Sequence, residues 1–336
     1  MTKDSGSVCA IVVTYNRKNL LIECLEALRR QTRPLDGIYV IDNASTDDTP
    51  AYLMEKGYIA EIPPSVLLEP YEREYLLGNY VNGGSIRFHY VRLPENTGGA
   101  GGFHEGMKRA YEKGYDWMWL MDDDAEAKED ALERLLSFGE NLHILGAKLE
   151  TKDFKNLYET NNYLRDSGLI TPVNTLPFVG FLIRNRVVEC IGYPIKELFV
   201  LNDDVEYSLR ARSAGFQLFV VESAKIFHPS WNCFKVNFLN ISLALNIYQS
   251  QAKLYYSLRN SLAIFVGYRD IFGKFGFARK LIAYSILAPI RAFFTTKNIF
   301  LALDLLIKSL VHFPTLKRRI SRERSNLSTK TCGKYE

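Results

Sequence analysis

The sequence predicts an α/β fold with a doubly wound, mostly parallel sheet, followed by a helical C-terminal region. Apolar runs rich in β-branched residues alternate with amphipathic helical patterns over the first 140 residues, as is typical of parallel sheets. Polar or acidic residues follow these runs, at the sheet edge where open α/β folds bind ligands. Beyond residue 231 the chain becomes helical and aromatic. We therefore expect two domains, residues 1–235 and 236–336.

Each predicted element has its own local signal. Residues 8–14 form an apolar strand run, and residues 20–28 repeat leucines at helical spacing. Acidic residues predict a helix start near residue 46, and glycines open another helix at residue 98. Residues 58–85 fit no period and predict an inserted loop. The other predicted elements are strands at 37–41, 86–93, 116–121, 145–149, 178–183 and 218–226 and helices at 129–138 and 203–214.

The composition predicts a globular protein with reduced cysteines. With 47% hydrophobic and 24% charged residues, the chain does not have a disordered composition. Its five cysteines are scattered without a CxxC pair, which indicates reduced thiols in a cytoplasmic compartment. We expect no secretion signal. We also expect no membrane span, since no uncharged run approaches the ~20 apolar residues that a spanning helix needs.

The C-terminal region is basic, whereas the rest of the chain is slightly acidic. Residues 269–336 hold 14 Lys and Arg against 4 Asp and Glu, and the other residues hold 28 against 34. Aromatic and basic residues together can bind single-stranded nucleic acid. The bulky aliphatic residues between them, however, suit helices lying on an anionic membrane surface. We predict membrane association and no nucleic-acid partner, with a core-packed appendage or a homo-oligomer interface as the alternative.

Three consecutive carboxylates, Asp122, Asp123 and Asp124, follow the predicted strand at 116–121. They repel one another, so their clustering indicates a bound cation or nearby hydrogen-bond donors. Asp122 and Asp124 point the same way on an extended chain and can reach one hard divalent ion. The sequence therefore predicts a metal–nucleotide site here. The alternative is a solvated acidic turn that caps the next helix.

Two further polar turns end the first and second predicted strands. At the same sheet edge, a carboxylate can accept hydrogen bonds from a uracil imide or ribose hydroxyls, and an arginine can bind a phosphate. Taken singly, each turn is equally explained by ordinary turn and capping residues. The two turns are Thr14-Tyr15-Asn16-Arg17 and Asp42-Asn43-Ala44-Ser45-Thr46-Asp47.

A glycine-rich segment after the third predicted strand, residues 96–103, opens a helix N-terminus where anions are favoured. It is not a dinucleotide-binding fingerprint, because His104 occupies the last glycine position. A later segment contains Asp203 and Asp204. A capping box formed by Asp203 and Glu206 explains the first aspartate. It does not explain Asp204, which could take a proton from an attacking hydroxyl.

Taken in order, these motifs over residues 8–230 resemble family 2 glycosyltransferases of the GT-A fold. The segment 96–103 together with the aspartate run is most similar to bacterial galactofuranosyltransferases, which use UDP-galactofuranose. Rhamnosyltransferases using dTDP-rhamnose share much of the pattern. The chain departs from the family at Leu201-Asn202, where relatives often carry Trp before the aspartate pair. This departure concerns the acceptor pocket.

The resemblance implies an inverting transferase that needs no enzyme nucleophile, with Asp204 as general base. An unperturbed Asp has a pKa of ~3.9, so we expect Asp204 to be a carboxylate at neutral pH without special tuning. The resemblance also implies Mn²⁺ or Mg²⁺ bound by Asp122, Asp124 and His228. The acceptor would be a glycan or a lipid-linked glycan. The residues implied to contact the UDP-sugar are Thr14, Tyr15, Arg17, Asp42, Asn43, Asn96, Gly98, Gly99, Asp122 and Asp123.

Residues 255–260 resemble a Y-Y-x-x-R-N segment common after the catalytic domain of this family. Together with the basic C-terminal region, this predicts a cytoplasmic enzyme at the inner face of the cell membrane. Two other functions were considered. A nucleotidyltransferase would show a basic glycine-rich loop after the first strand, where residues 14–17 contain no glycine. A non-catalytic nucleotide-sugar-binding scaffold would not need all three of Asp122, Asp124 and Asp204.

Overall fold

A ten-stranded mixed sheet forms the centre of the protein. This computed structural model describes residues 6–150, 169–229, 233–238, 241–246 and 250–329. The strands of the large sheet are β1 Val8–Thr14, β2 Gly37–Asp42, β3 Tyr71–Gly78, β4 Ser85–Arg92, β5 Trp117–Asp122, β6 Glu126–Ala127, β7 Ile144–Glu150, β8 Ile170–Val173, β9 Phe181–Arg184 and β10 Leu218–Phe227. The strands β11 Cys233–Phe238 and β12 Ile241–Asn246 form a separate hairpin.

Helices lie on both sides of the sheet and beyond it. They are α1 Lys18–Arg29, α2 Thr49–Glu55, α3 Gly98–Glu112, α4 Ala131–Leu136, α5 Asn185–Ile191, α6 Asp203–Ser213, α7 Gln251–Gly267, α8 Arg269–Thr296 and α9 Ile299–Thr329. The sheet order is β3-β4-β2-β1-β5-β9-β7-β10-β6, with β8 paired to β10. The neighbouring strands β4, β2, β1 and β5 are all parallel, as the alternating pattern predicted.

The register of these parallel strands brings their polar ends together. Thr14 on β1 lies beside Asp42 on β2, and Asp42 lies beside Arg92 on β4. On the other side of β1, Val13 lies beside Asp122 on β5. Because the strands run in one direction, their carboxyl ends share one edge of the sheet. The predicted ligand edge therefore exists.

Alternate residues of β1 enter two different cores. Val8, Ala10 and Val12 pack on one face of the sheet with α1 and α4. Cys9 and Ile11 pack on the other face with α3, α5 and α6. A strand covered on both faces must be apolar throughout, which is why residues 8–13 read as a continuous apolar run.

The prediction of a loop over residues 58–85 is wrong for its second half, because β3 pairs there with β4 in an antiparallel arrangement. Only Leu77 of this strand is buried, so no alternation of apolar residues marks it. Charged side chains face the neighbouring helix instead, and Glu74 forms an ion pair with Lys113 at 3.0 Å. Charged residues are common on edge strands because they discourage pairing with other chains.

The prediction of helix from residue 231 onward is also wrong at its start, since residues 233–246 include the β11–β12 hairpin. From residue 251 the helices appear as expected. They are joined to the first domain by a shared core that includes Leu198, Ala263, Ile264 and Ile320. The helical region is therefore packed against α3 and α6, close to the end of the sheet that carries the polar turns.

One further expectation is corrected, and another stays a prediction. Cys9 and Cys24 are buried free thiols, but Cys190 is disulfide-bonded, so the expectation of reduced cysteines fails there; Cys332 lies outside the described residues. Within the described residues, one helical stretch, Ile299–Leu327, is long and apolar enough to cross a membrane, and 22% of an apolar 18-residue window within it is buried. This stretch also carries charged residues, of which Asp304 and Lys308 pair with each other at 2.7 Å, and the expectation of no membrane span stays a prediction.

Candidate active site

Asp122, Asp124 and His228 form the centre of the site. One ligand atom of each lies within 4.8 Å of the others, and His228 Nε2 is 3.2 Å from Asp124 Oδ1. The short strand β6, directly after the aspartates, pairs with the end of β10 and places Phe227 opposite Glu126. This pairing brings His228 to the aspartates. The predicted metal ligands are therefore adjacent in space.

Burial and the neighbouring charges shift the pKa values of all three residues in this cluster. Desolvation, and next the charge of Asp124, raise the pKa of Asp122 to about 7, even though 42% of its side chain is accessible. Burial also acts on Asp124, but hydrogen bonding by His228 brings its pKa below the usual value. The pKa of His228 is lowered by burial and raised more strongly by Asp124, for a net increase.

A divalent cation fits this donor set. Carboxylate oxygens are the preferred ligands of Mg²⁺ and Mn²⁺, and imidazole nitrogen is a common third donor. Asp124 Oδ1 is a buried carboxylate oxygen that lies 3.2 Å from His228 Nε2. His228 Nδ1 lies 2.8 Å from the carbonyl oxygen of Pro229, so Nε2 is the nitrogen that faces the carboxylates. Asp122, Asp124 and His228 could hold a metal together.

Asp123 points away from this cluster and fixes the turn after β1. Its Oδ2 accepts a hydrogen bond from Thr14 Oγ1 at 2.8 Å, and its Oδ1 accepts one from Arg17 at 3.1 Å. Burial raises its pKa to about 6 in spite of Arg17. Both Asp123 and Thr14 are almost fully buried. Their contacts in the structure are with each other and with Arg17, which makes them supports of the predicted nucleotide contacts.

Arg17 and Tyr15 have accessible side chains in this turn, as does Asn16. Arg17 contacts both Asp123 and Asp124, the latter at 2.5 Å, yet 45% of its side chain is exposed. Tyr15 is 42% exposed. A guanidinium beside the metal-ligand aspartates can bind a phosphate from the open side of the cleft.

Asp42 and Asn43 are buried at the end of β2. Asp42 is 0% exposed; its Oδ2 accepts hydrogen bonds from Tyr90 and Arg92, both at 2.6 Å, and its Oδ1 accepts one from the Ser45 amide. Asn43 accepts hydrogen bonds from Thr97 and donates one to the Gly98 carbonyl. In this conformation both side chains organise neighbouring turns, and their predicted contacts with the nucleotide stay predictions.

The two strand-end turns are also bonded directly to each other, which the sequence analysis missed. Asn16 has a φ of 56°. Its backbone amide donates a hydrogen bond to Ser45 Oγ at 3.0 Å, and its side-chain Oδ1 accepts one from the backbone amide of Thr46 at 2.6 Å. Asp47 accepts from the Lys18 amide at 3.1 Å. Asn tolerates the left-handed region better than most residues, and this was the signal available in the sequence.

The glycine-rich segment serves close packing as well as a turn. Gly98 has φ +71°, and a Cβ there would lie 2.0 Å from the carbonyl oxygen of Phe199. A Cβ on Gly102 would lie 2.4 Å from Val13 Cγ1, so this glycine lets α3 approach β1. Asn96 is exposed and accepts a hydrogen bond from the Gly98 amide. Gly99 lies at the N-terminus of α3, where a Cβ would be 3.9 Å from Asp203.

Asp203 and Asp204 begin α6, but the predicted capping box is absent. The N-cap is Asn202, with no side-chain capping bond. Glu206 instead pairs with Arg210 at 2.9 Å and accepts a hydrogen bond from Tyr268. Burial, and next the charge of Asp204, raise the pKa of Asp203 well above its usual value; Asp122 adds to this. Asp203 therefore lies within electrostatic range of the metal-ligand cluster.

The expectation of an unperturbed Asp204 is wrong. Burial raises its pKa to about 6, although the Val205 amide donates to Oδ1 at 2.7 Å. A carboxylic acid with that pKa is mostly ionised at neutral pH and is better matched to proton abstraction than an ordinary aspartate. The sequence could not show this change, because the burial comes from the packing of α6 against other elements.

The chain is similar to known glycosyltransferases. A family model described as glycosyl transferase family 2 matches residues 9–58 and 73–191. Galactofuranosyltransferase GlfT1 of Mycolicibacterium smegmatis is 28% identical over 242 residues, which cover 66% of this chain and 70% of that protein. GlfT1 of Mycobacterium tuberculosis is 30% identical over 240 residues, with the same coverage. The dTDP-rhamnosyl transferase RfbF of Shigella flexneri is 24% identical over 192 residues, covering 53% of this chain and 63% of RfbF.

Solved structures show the same fold. GalNAc-T7 with UDP, GalNAc and Mn²⁺ has a TM-score of 0.53 and 13% identity; the match covers 77% of this chain and 47% of GalNAc-T7, so the chain spans about half of that protein. The mannosyltransferase PcManGT from Pyrobaculum calidifontis, in complex with GDP-Man and Mn²⁺, has a TM-score of 0.53 and 16% identity, covering 96% of this chain and 85% of PcManGT. The predicted GT-A fold with a C-terminal helical region is confirmed.

Proposed function

Because the chain belongs to family 2 of the glycosyl transferases, we propose that it transfers galactofuranose from UDP-galactofuranose to a glycan acceptor with inversion, in a metal-dependent reaction. The observation that carries the proposal is the meeting of Asp122, Asp124 and His228 beside the exposed Arg17. This arrangement suits a nucleotide diphosphate and a divalent cation. The similarity to two galactofuranosyltransferases supports the choice of donor sugar.

In this proposal the residues of the cleft have separate roles. Arg17 binds the diphosphate and stabilises the negative charge that grows on it as it leaves. Asp122, Asp124 and His228 would hold Mn²⁺ or Mg²⁺, which would supply further positive charge against the same diphosphate. Thr14 and Asp123 keep Arg17 in place through their hydrogen bonds. The nucleoside lies along the ends of β1, β2 and β4.

Asp204 acts as the general base in a single displacement. It removes the proton of the acceptor hydroxyl while that oxygen bonds to the anomeric carbon and the bond from this carbon to the diphosphate breaks. UDP leaves, and the carboxyl of Asp204 later loses its proton to solvent. The raised pKa of Asp204, about 6, still leaves the base ionised at pH 7 and above.

Transfer from two donors tests the proposal. We would incubate the protein and Mn²⁺ with each of a panel of alkyl glycoside acceptors and either UDP-galactofuranose or dTDP-rhamnose, and detect the glycoside by mass spectrometry. We expect product from UDP-galactofuranose. Product from dTDP-rhamnose alone would move the donor to the second candidate, which the similarity to RfbF favours. Metal-dependent nucleotide binding without product from either donor, over a panel of glycan acceptors, would favour the non-catalytic scaffold.

We further propose that the protein lies on the inner, anionic face of the cell membrane and there meets a lipid-linked glycan. Large apolar side chains are exposed on α8 and α9, and they recur every three or four residues along each helix. Phe300 is 80% exposed and Val311 64%. The others are Ile282, Ile286, Ile290, Phe293, Phe294, Ile299, Leu303, Ile307 and Leu310. Such a surface, with exposed Lys297, Lys308 and Arg318 near it, suits an anionic interface.

Vesicle sedimentation tests membrane binding. We expect the protein to sediment with vesicles containing anionic phospholipid, and Phe300→Ser to reduce the bound fraction. Leu68→Ser is the matched control, because Leu68 is 91% exposed but lies far from α8 and α9 in the chain. Equal loss in both variants, or no binding by the unaltered protein, would contradict a membrane role for this surface.

A further inference from the structure

The segment that leads into the two aspartates of α6 has an unfavourable backbone conformation. Phe199, Leu201 and Asn202 have φ values of 64°, 68° and 64°. Residues other than glycine rarely adopt positive φ, and bulky side chains such as Phe and Leu are disfavoured there. Such conformations persist only where surrounding contacts enforce them, and they are concentrated at functional sites.

The contacts that enforce this conformation come from three residues of α7, Tyr256, Arg259 and Asn260, which we call the α7 clamp. The Asn260 amide nitrogen lies 2.9, 3.1 and 2.8 Å from the carbonyl oxygens of Leu198, Val200 and Leu201. Asn260 is 0% exposed. The three carbonyls lie within residues 198–201, so a single side chain ties the strained segment to α7 at three points.

The rest of the α7 clamp fixes Asn260 and the aromatic end of the segment. Arg259 donates to Asn260 Oδ1 from Nε at 3.0 Å and from Nη2 at 2.8 Å, which sets the orientation of the amide. The same Nη2 donates to the Glu197 carbonyl at 2.5 Å. The ring of Tyr256 stacks on Phe199 with centroids 4.7 Å apart and an angle of 20° between the planes.

On its other side the segment contacts the donor site. The Phe199 carbonyl accepts a hydrogen bond from the Ala100 amide at 3.0 Å, next to Gly98 and Gly99. The segment ends at Asp203 and Asp204. It therefore connects α7, the glycine-rich turn at the start of α3, and the aspartates of α6, and a displacement of residues 199–202 would move the aspartates relative to the donor.

We propose that Asn260, oriented by Arg259 and aided by Tyr256, is the positioning residue that holds Asp204 against the reacting groups. This proposal rests on the proposed function, since it assigns a role in that reaction to a helix outside the sheet domain. It accounts for the polar composition of the α7 clamp, where an apolar residue at position 260 would leave three carbonyl oxygens of the segment without this donor.

The test compares Asn260→Asp with Tyr284→Phe. Aspartate keeps the size of the side chain, but its oxygens face the three carbonyls and cannot donate when ionised. Tyr284 donates to the Leu258 carbonyl at 3.1 Å, so the control removes a hydrogen bond to α7 without altering the clamp. We expect Asn260→Asp to lower kcat about 100-fold, the loss typical of a reacting group misplaced by about 1 Å.

The other readouts separate positioning from folding. Activity is normalised to the fraction that binds UDP with Mn²⁺, and we expect UDP affinity to change less than about twofold, or about 0.4 kcal/mol. The acidic limb of the kcat–pH profile should also move, because the surroundings of Asp204 change. Normalised kcat and pH profile equal to those of the control would overturn the proposal.

If Asn260→Asp does not fold, Tyr256→Leu and Arg259→Gln weaken the same clamp from its half-buried side and should lower normalised kcat with the same shift in pH profile; unchanged values would overturn the proposal. If the unaltered protein transfers sugar but the clamp variants do so equally well, only the positioning role fails. Absence of transfer and of metal-dependent UDP binding in the unaltered protein would instead refute the proposed function.

Discussion

His228 Nε2 lies 3.2 Å from Asp124 Oδ1, although the first residue follows the last strand of the large sheet and the second follows a central one. The pairing of β6 with β10 produces this contact. An imidazole held against two carboxylates has either to carry a proton or to share a cation with them. The raised pKa of His228 reflects the first case, and metal binding would replace it with the second.

The His228 contact predicts a loss of metal affinity on substitution. His228→Gln removes the nitrogen donor but keeps a polar side chain, and we expect Mn²⁺ affinity to fall on the order of 10- to 100-fold, the loss known for groups that merely support metal ligands. Isothermal titration with Mn²⁺ in the presence of UDP measures it. His312→Gln is the control, because His312 is exposed and contacts Tyr255 on the helices. Equal affinity in both variants would exclude His228 as a ligand.

Asp204 predicts a separation of binding from chemistry. Asp204→Asn cannot accept the acceptor proton, so we expect kcat to fall roughly 10²- to 10⁴-fold. UDP affinity should stay within about twofold, or about 0.4 kcal/mol, because the diphosphate contacts come from Arg17 and the metal ligands. Radiometric transfer and UDP titration measure the two quantities on one preparation. Transfer at the unaltered rate would show that another group, with Asp203 the nearest candidate, is the base.

The pKa of Asp204 predicts the pH dependence. Activity requires the carboxylate form of Asp204, so protonation of this group abolishes activity. With the pKa raised to about 6, kcat/KM should fall to half near pH 6. Below that it should fall about tenfold for each unit by which the pH decreases. An aspartate of ordinary pKa, about 3.9, would keep activity down to pH 4. The profile is measured at saturating Mn²⁺. A flat profile between pH 5 and 7 would contradict burial of the base.

Gly102 predicts a stability effect at the base of the site. An alanine Cβ there would lie 2.4 Å from Val13 Cγ1 and 3.0 Å from Asn43 Nδ2. Overpacking of this kind costs about 1–3 kcal/mol, so Gly102→Ala should lower the free energy of unfolding and the melting temperature. Gly78→Ala is the control, since its Cβ would meet no atom within 4 Å. Equal melting temperatures would mean that α3 can shift away from β1 without cost.

Local patterns predicted the parts of the fold that carry strong local signals. Residues 8–13 and 117–121 are apolar throughout because their strands are covered on both faces, and the sequence shows this directly. Strand β3 was missed because only Leu77 of it is buried, which leaves no alternation. The hairpin at 233–246 was missed because its aromatic and aliphatic residues suit helices and strands equally.

The site was predictable in position but not in detail. The aspartates were identified by their place after strands, and His228 by family resemblance, because a single histidine has no local signal. Asp123 and Asp42 were predicted as direct nucleotide contacts, yet in the structure their oxygens bind Thr14, Arg17, Tyr90 and Arg92. Such choices of partner depend on side-chain directions fixed by tertiary packing. The pKa of Asp204 and the contacts of Asn260 arise in the same way.

Calorimetric titration with UDP, dTDP and GDP, each with and without Mn²⁺, tests the central claim most directly. We predict binding of UDP that is lost without the metal and lost in Asp124→Asn. Binding should be kept in the control Asp130→Asn, because the side chain of Asp130 contacts Arg134 on α4. Preference for dTDP would retain the site and move the donor to dTDP-rhamnose. Absence of metal-dependent binding of every nucleotide would contradict the assignment of Asp122, Asp124 and His228 as a metal–nucleotide site.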